Sequence, residues 1–207
     1  FNFFEFMIYL TLFTSSLLSY FFLIITRDYF IKNKIIDKIN KRSSHRITAV
    51  RSGGLGIFIP IILISIYFYI VGVEIFDFSF LIPLLILLLI GVYDDTSDAD
   101  YKLKFIFQII AAKIIIDNGL VIDNLHGIFG IESIGRVPAQ SLTIFIILAI
   151  INSVNFIDGI DGLATSIILF LIISFEIFST GKSDFLILSI IVVGSLLPLL
   201  FFNYPNI

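Results

Sequence analysis

The chain has 207 residues, of which 58% are hydrophobic, carries a net charge of -3 and contains no cysteine. A mean hydropathy of +1.09, with the apolar residues in long blocks, excludes an ordinary soluble domain and points to an all-α, polytopic transmembrane bundle. Disulfides and thiolate metal sites are excluded, and where the charges fall says more than their sum.

In chain order, Phe6 to Ile25 reads as a first span, with no basic region before it and no small-residue cleavage site after it, hence retained. Arg27, Lys32, Lys34, Lys38, Lys41, Arg42, Arg46 and Arg51 then crowd into one connection, which the positive-inside rule makes cytoplasmic, with the N-terminus outside. A second span runs from Leu55 to Val71, and the connection Gly72–Ser79 has no basic residue. The third runs from Phe80 to Val92 and empties into Tyr93-Asp94-Asp95-Thr96-Ser97-Asp98. The fourth, Leu103 to Ile116, carries Gln108 and Lys113 and is expected to pack inside the bundle. Asp117 to Gln140 is a glycine-dotted outer connection with Arg136. The fifth span, Ser141 to Asn152, is too short to cross unaided, so its polar end is expected in a recess. The sixth covers Leu163 to Phe178 and the seventh Phe185 to Phe202, making about seven spans in a single domain over residues 1–207. Counting crossings from an outside N-terminus puts the basic loop, the Asp94–Asp95 segment with Lys102 and Lys104, and the stretch from Asn152 to Asp161 on the cytoplasmic face. Arg136 and Lys182 fall on the other.

The polar stretch Asn152-Ser-Val-Asn-Phe-Ile-Asp-Gly-Ile-Asp-Gly-Leu163 stands out between two apolar runs. Asn152, Asn155, Asp158 and Asp161 recur every three residues, a step that keeps neighbours close on a helix but drifts, so the four spiral. A helix N-cap cluster for the next span is the plain alternative, but four polar side chains exceed what a cap needs. Carboxylates near lipid need a polar cavity, a cation or a ligand. Adjacent Asp94 and Asp95 point in different directions on a helix, so one can hold a metal while the other takes a proton or orients a nucleophile. Hard cations such as Mg²⁺ favour a few carboxylates with phosphate oxygens and water. Asp98 and Asp100 read as solvated loop residues. His45, Arg46 and Arg51, with the turn Ser52-Gly-Gly54, add cations and backbone amides suited to phosphate. Such an inventory in a membrane suits phosphoryl transfer to or from a lipid.

These motifs resemble the polyprenyl-phosphate N-acetylhexosamine-1-phosphate transferases, which include bacterial enzymes that begin O-antigen, teichoic acid and peptidoglycan lipid synthesis. The likeness rests on Asp37-Lys-Ile-Asn40 with Ser43-Ser-His-Arg46 and Arg51-Ser-Gly-Gly54; on Tyr93-Asp94-Asp95 with Lys102-Leu-Lys104 and Gln108; and on the stretch from Asn152 to Leu163. Thr48 and Val50 stand where relatives often carry prolines. The resemblance implies transfer of a sugar 1-phosphate from a UDP-N-acetylhexosamine to undecaprenyl phosphate, releasing UMP, directly or through an aspartyl intermediate. It implies Asp94, Asp95 and Asp158 as catalytic residues and Mg²⁺ ligands, with Mn²⁺ able to substitute. Asn152, Asn155, Asp158, Asp161, His45, Arg46, Arg51, Lys102 and Lys104 are the implied substrate-binding set. The implied setting is the bacterial cytoplasmic membrane with the active site on its cytoplasmic face. The partners are the bilayer, the nucleotide sugar and the lipid phosphate, with no nucleic acid and a homodimer left open. Relatives usually continue with another aspartate motif, further spans and a histidine-rich loop; on that pattern the 207-residue chain is expected to be truncated at its C-terminus and inactive alone.

Three other readings fit less of the chain. Asp94-Asp95-Thr-Ser-Asp98 matches the aspartate-rich motif of membrane prenyltransferases, but a second such motif is missing. CDP-alcohol phosphotransferases continue their Asp-Gly motif through Ala-Arg, where this chain has Ala164-Thr165. A carrier could use intramembrane carboxylates for ions or substrate.

Overall fold

A computed structural model of the chain describes residues 3–35, 52–73, 78–97, 99–158, 162–180 and 183–203. His45, Arg46, Arg51 and Asp161, and with them most of the basic loop, lie outside the described residues. The described part is helical: α1 (Phe3–Lys32), α2 (Gly53–Val71), α3 (Leu81–Ser97), α4 (Tyr101–Asp117), α5 (Arg136–Ile157), α6 (Leu163–Phe178) and α7 (Leu186–Phe202). Four stretches are long and apolar enough to cross a membrane: Phe4–Lys32, Gly53–Val71, Phe78–Ser97 and Arg136–Ile157. α6 and α7 are shorter apolar helices. Phe13, Tyr67, Phe145 and Phe170 all stand exposed, as expected where the surrounding solvent is lipid rather than water. The chain is a multi-pass helical membrane protein.

The chain divides into two units. The first, residues 1–77 with 157–207, is built on α1, which packs against α2 and α7; α7 also packs against α2 and α6. Lipid tails are as apolar as leucine, so association of these helices depends on close packing and inter-helix hydrogen bonds. Both occur where α1 meets α7. The Ser19 hydroxyl donates to the Ser195 carbonyl oxygen at 2.7 Å, with both residues fully buried. Beside this bond, a Cβ on Gly194 would overlap the Ser15 hydroxyl and lie 2.8 Å from the Leu12 carbonyl oxygen. Only glycine permits that approach.

The second unit, residues 78–156, holds α3, α4 and α5. A 3₁₀ turn at Phe78–Phe80 leads into α3, which packs on α4. Asp100 caps α4 by accepting a hydrogen bond from the Lys102 amide at 3.1 Å. Its side chain therefore has a structural task rather than the purely solvated one its loop position suggests. Between α4 and α5 the chain makes a small hairpin, joined by an isolated bridge between Asn124 and Ser133. It is held by Leu125 N–H to the Glu132 oxygen (2.7 Å) and Ile134 N–H to the Asp123 oxygen (2.8 Å). The Thr143 hydroxyl of α5 accepts from the Ile122 N–H at 2.9 Å and donates to the Ala139 carbonyl at 2.8 Å, tying the hairpin's first arm to α5.

Three expectations from the sequence need correction. The third helix does not end at Val92 but runs to Ser97, so Asp94 and Asp95 lie on its last turns; nothing in Tyr93-Asp-Asp-Thr-Ser breaks a helix. The fifth is not a short segment ending at Asn152: α5 has 22 residues and is long enough to cross. Asn152 and Asn155 lie within it because asparagine is a poor helix former but no breaker. Lys113 does not pack inside; its side chain is 44% exposed and pairs with Asp117 one turn on, whereas Gln108 is buried as expected.

Substitutions at three positions test this fold through the midpoint of thermal unfolding in detergent. Gly194→Val should destabilise by about 1–3 kcal/mol, the usual range for overpacking a tight contact, whereas Gly91→Ala, which meets nothing within 4 Å, should be neutral or stabilising. Asp100→Ala should cost about 1 kcal/mol through the lost cap, and Asp100→Asn should restore most of it; equal loss in both variants would show that the cap is not what the carboxylate provides.

Candidate active site

The aspartate pair takes its place from the way α3 ends and α4 begins. Asp94 Oδ1 accepts from Lys104 Nζ at 2.6 Å and from the Ala99 N–H at 3.1 Å. One contact comes from the linker after α3 and the other from the first turn of α4, so the carboxylate fastens the turn between the helices. The Asp94 side chain is a quarter exposed and that of Lys104 somewhat more, which leaves the pair open to a ligand from one side. Asp95 lies one residue on, about 100° further round the helix, and so faces another direction. Lys102 is directed differently from Lys104: its ammonium sits 5.9 Å from the ring centroid of its neighbour Tyr101.

One turn beyond Lys104, on the same side of α4, Gln108 is 7% exposed. Its Oε1 accepts from Asn152 Nδ2 at 3.0 Å. That nitrogen also donates to the carbonyl of Leu148, one turn earlier on α5, at 2.8 Å. α4 therefore grips Asp94 of α3 through Lys104 and Asn152 of α5 through Gln108. The structure brings together Asp94, Lys104, Gln108 and Asn152 in this way; Asn155 follows one turn along α5 and is exposed.

The remainder of the asparagine–aspartate stretch leaves the helix. α5 ends at Ile157, Asp158 follows as an exposed turn residue, and α6 begins at Leu163. Asp158 belongs to the first unit. The N-cap of α6 is Gly162, with φ +72°, a left-handed conformation that glycine adopts without strain. A glycine has no side chain to cap with, so the N-cap position itself is not filled by one of the four polar residues.

Among the described residues no group of three His, Cys, Asp or Glu side chains is assembled as a metal site. The donor chemistry nonetheless suits a hard cation, since the candidate ligands are carboxylates and Asp94 is held through Oδ1 alone, which keeps Oδ2 as a second hard donor. Sequence reasoning found Lys104 and Gln108 only as members of a motif. It missed that both act from one face of α4, although their four-residue spacing carried that signal.

The glycosyl transferase family 4 model matches residues 77–206. The chain is 33% identical over 178 residues to a probable undecaprenyl-phosphate N-acetylglucosaminyl 1-phosphate transferase of Bacillus subtilis, covering 84% of this chain and 49% of that protein. It is 25% identical over 202 residues to the undecaprenyl-phosphate alpha-N-acetylglucosaminyl 1-phosphate transferase of Yersinia pestis, covering 95% and 53%. A decaprenyl-phosphate N-acetylglucosaminephosphotransferase of Mycolicibacterium smegmatis is 33% identical over 99 residues, covering 46% and 24%. The chain thus spans about half the length, or less, of these curated relatives. Since the matched region contains both the aspartate pair and the whole stretch from Asn152 to Leu163, the chain belongs to glycosyl transferase family 4.

Proposed function

We propose that this chain carries part of a polyprenyl-phosphate N-acetylhexosamine-1-phosphate transferase, acting on undecaprenyl phosphate and a UDP-N-acetylhexosamine. The observation that carries the reading is the double grip of α4, which links the aspartate pair to the asparagine stretch through Lys104 and Gln108. The names of the relatives support the same chemistry, each being a transferase of N-acetylglucosamine phosphate to a polyprenyl phosphate.

In this reaction an oxygen of the lipid phosphate attacks the β-phosphorus of the nucleotide sugar. A new P–O bond forms as the bond from that phosphorus to the bridging oxygen breaks, and UMP leaves with the electron pair. Asp94 and Asp95 take up or orient the proton of the lipid phosphate and present carboxylate oxygens at the cytoplasmic end of α3. Lys104 holds Asp94 in place through the ion pair. On the family resemblance, Asn152, Asn155, Asp158 and Asp161 are assigned to binding the nucleotide sugar, with His45, Arg46, Arg51 and Lys102 as further phosphate contacts. Asp94, Asp95 and Asp158 would hold Mg²⁺, or Mn²⁺ in its place, which when bound neutralises charge on the diphosphate. The protein sits in the bacterial cytoplasmic membrane with its N-terminus outside.

The reading is tested in membranes containing the protein as its own gene encodes it, supplied with UDP-N-acetylglucosamine, undecaprenyl phosphate and Mg²⁺, by following UMP release. Asp94→Asn and Asp95→Asn should each lower turnover at least a hundredfold while the protein still accumulates in the membrane; near-normal turnover in both would defeat the assignment. Topology is checked separately. Single cysteines at Thr96 and Ser153 should be shielded in intact cells from an impermeant thiol reagent, and one at Ser183 should react. Labelling at Thr96 from outside would reverse the orientation.

A further inference from the structure

The hydrogen bonds around Asn152 determine which end of its side-chain amide is available to a ligand. A backbone carbonyl can only accept, so the amide atom 2.8 Å from the Leu148 oxygen must be the nitrogen. The same nitrogen approaches Gln108 at 3.0 Å, so Gln108 must meet it with its own oxygen. An amide nitrogen carries two hydrogens, and these two contacts use both. What Asn152 has left to offer is Oδ1, an acceptor.

We propose that Gln108 is a positioning residue that fixes Asn152 as a hydrogen-bond acceptor toward the nucleotide sugar. This rests on the function proposed above and deepens it. Among the groups of the substrate, those Oδ1 can receive are N–H and O–H donors, which the uracil ring, the acetamido group and the sugar hydroxyls supply and a fully ionised phosphate does not. Asn152 therefore reads the nucleoside or sugar part of the substrate rather than its diphosphate. The Leu148 contact alone leaves the amide free to swing about one bond, and Gln108 supplies the second point that stops it. Because Gln108 is buried on α4 and Asn152 lies on α5, the bond also holds the register between the two helices.

The test compares Gln108→Glu, Gln108→Leu, Asn152→Leu and the double variant Gln108→Leu/Asn152→Leu with the parent in the UMP-release assay. KM for UDP-N-acetylglucosamine and kcat are determined separately. Glutamate, charged or protonated, still offers an acceptor to the Asn152 nitrogen, whereas leucine offers none. Gln108→Leu should raise KM tenfold or more with a smaller change in kcat, and Gln108→Glu should stay within threefold of the parent. The double variant should be no worse than Asn152→Leu alone, since Gln108 acts through Asn152. A side chain needed only for packing would give the reverse order, because leucine suits an apolar helix contact better than a buried acid. If Gln108→Leu does not accumulate, Gln108→Glu still decides: a KM near the parent's supports the assignment and a tenfold rise overturns it. An equal fall in kcat with unchanged KM in Gln108→Leu, or additive effects in the double variant, also overturns it. A parent protein that releases no UMP would count against the reaction itself, an outcome distinct from all of these.

Discussion

A polar side chain on a membrane helix has no water to fall back on, and the arrangement of this protein follows from that shortage. Three buried polar groups at or beside the helix contacts meet partners within the chain: Ser19 on the Ser195 carbonyl, Thr143 between Ala139 and Ile122, Gln108 on Asn152. The bonds need not be strong to matter, since a polar group stranded in hydrocarbon is costly and the bond removes that penalty. They tell the helices where to sit in a medium that otherwise favours no particular apolar contact. Chemistry and packing therefore draw on the same residues. Lys104 compensates the charge of Asp94 and fastens the turn between two helices at once.

The sequence made the membrane class, the seven helices of the described residues and the polar motifs legible, because long apolar blocks and runs of charge are one-dimensional signals. Helix ends were less so. Val92 and Asn152 looked like ends because the apolar runs stop there, yet a helix continues wherever the backbone can bond, and Tyr93–Ser97 and Ser153–Ile157 contain neither glycine nor proline. Lys113 was misjudged for a related reason. A charge on an apolar helix suggests an inward role, but a carboxylate four residues away lets it settle outside with its own neighbour.

The site shows the same division. Asp94, Asp95, Asn152 and Asn155 can be picked out by residue type, and their distribution over the ends of α3 and α5 follows from the helix boundaries. The contact of Lys104 with Asp94 across a turn, and of Gln108 with Asn152 across 44 residues, depends on how α4 is rotated about its axis. With a lysine at 104 and a glutamine at 108 separated by one turn, the sequence held half of that information. The other half, which neighbour each faces, belongs to three-dimensional packing.

The seam between α1 and α7 bears on how the protein is made. Ser19 and Ser195 are 176 residues apart, and the glycine that lets their helices touch is on the later one. At ribosomal speeds of about 5–20 residues per second, α1 emerges roughly 10 to 35 seconds before α7 exists. During that interval the Ser15 and Ser19 hydroxyls can turn back on carbonyls of their own helix, as Ser15 does onto Leu12 in the finished structure. α1 can therefore enter the bilayer with its polar groups satisfied and wait as a complete guest, exchanging an internal bond for a shared one only when α7 arrives.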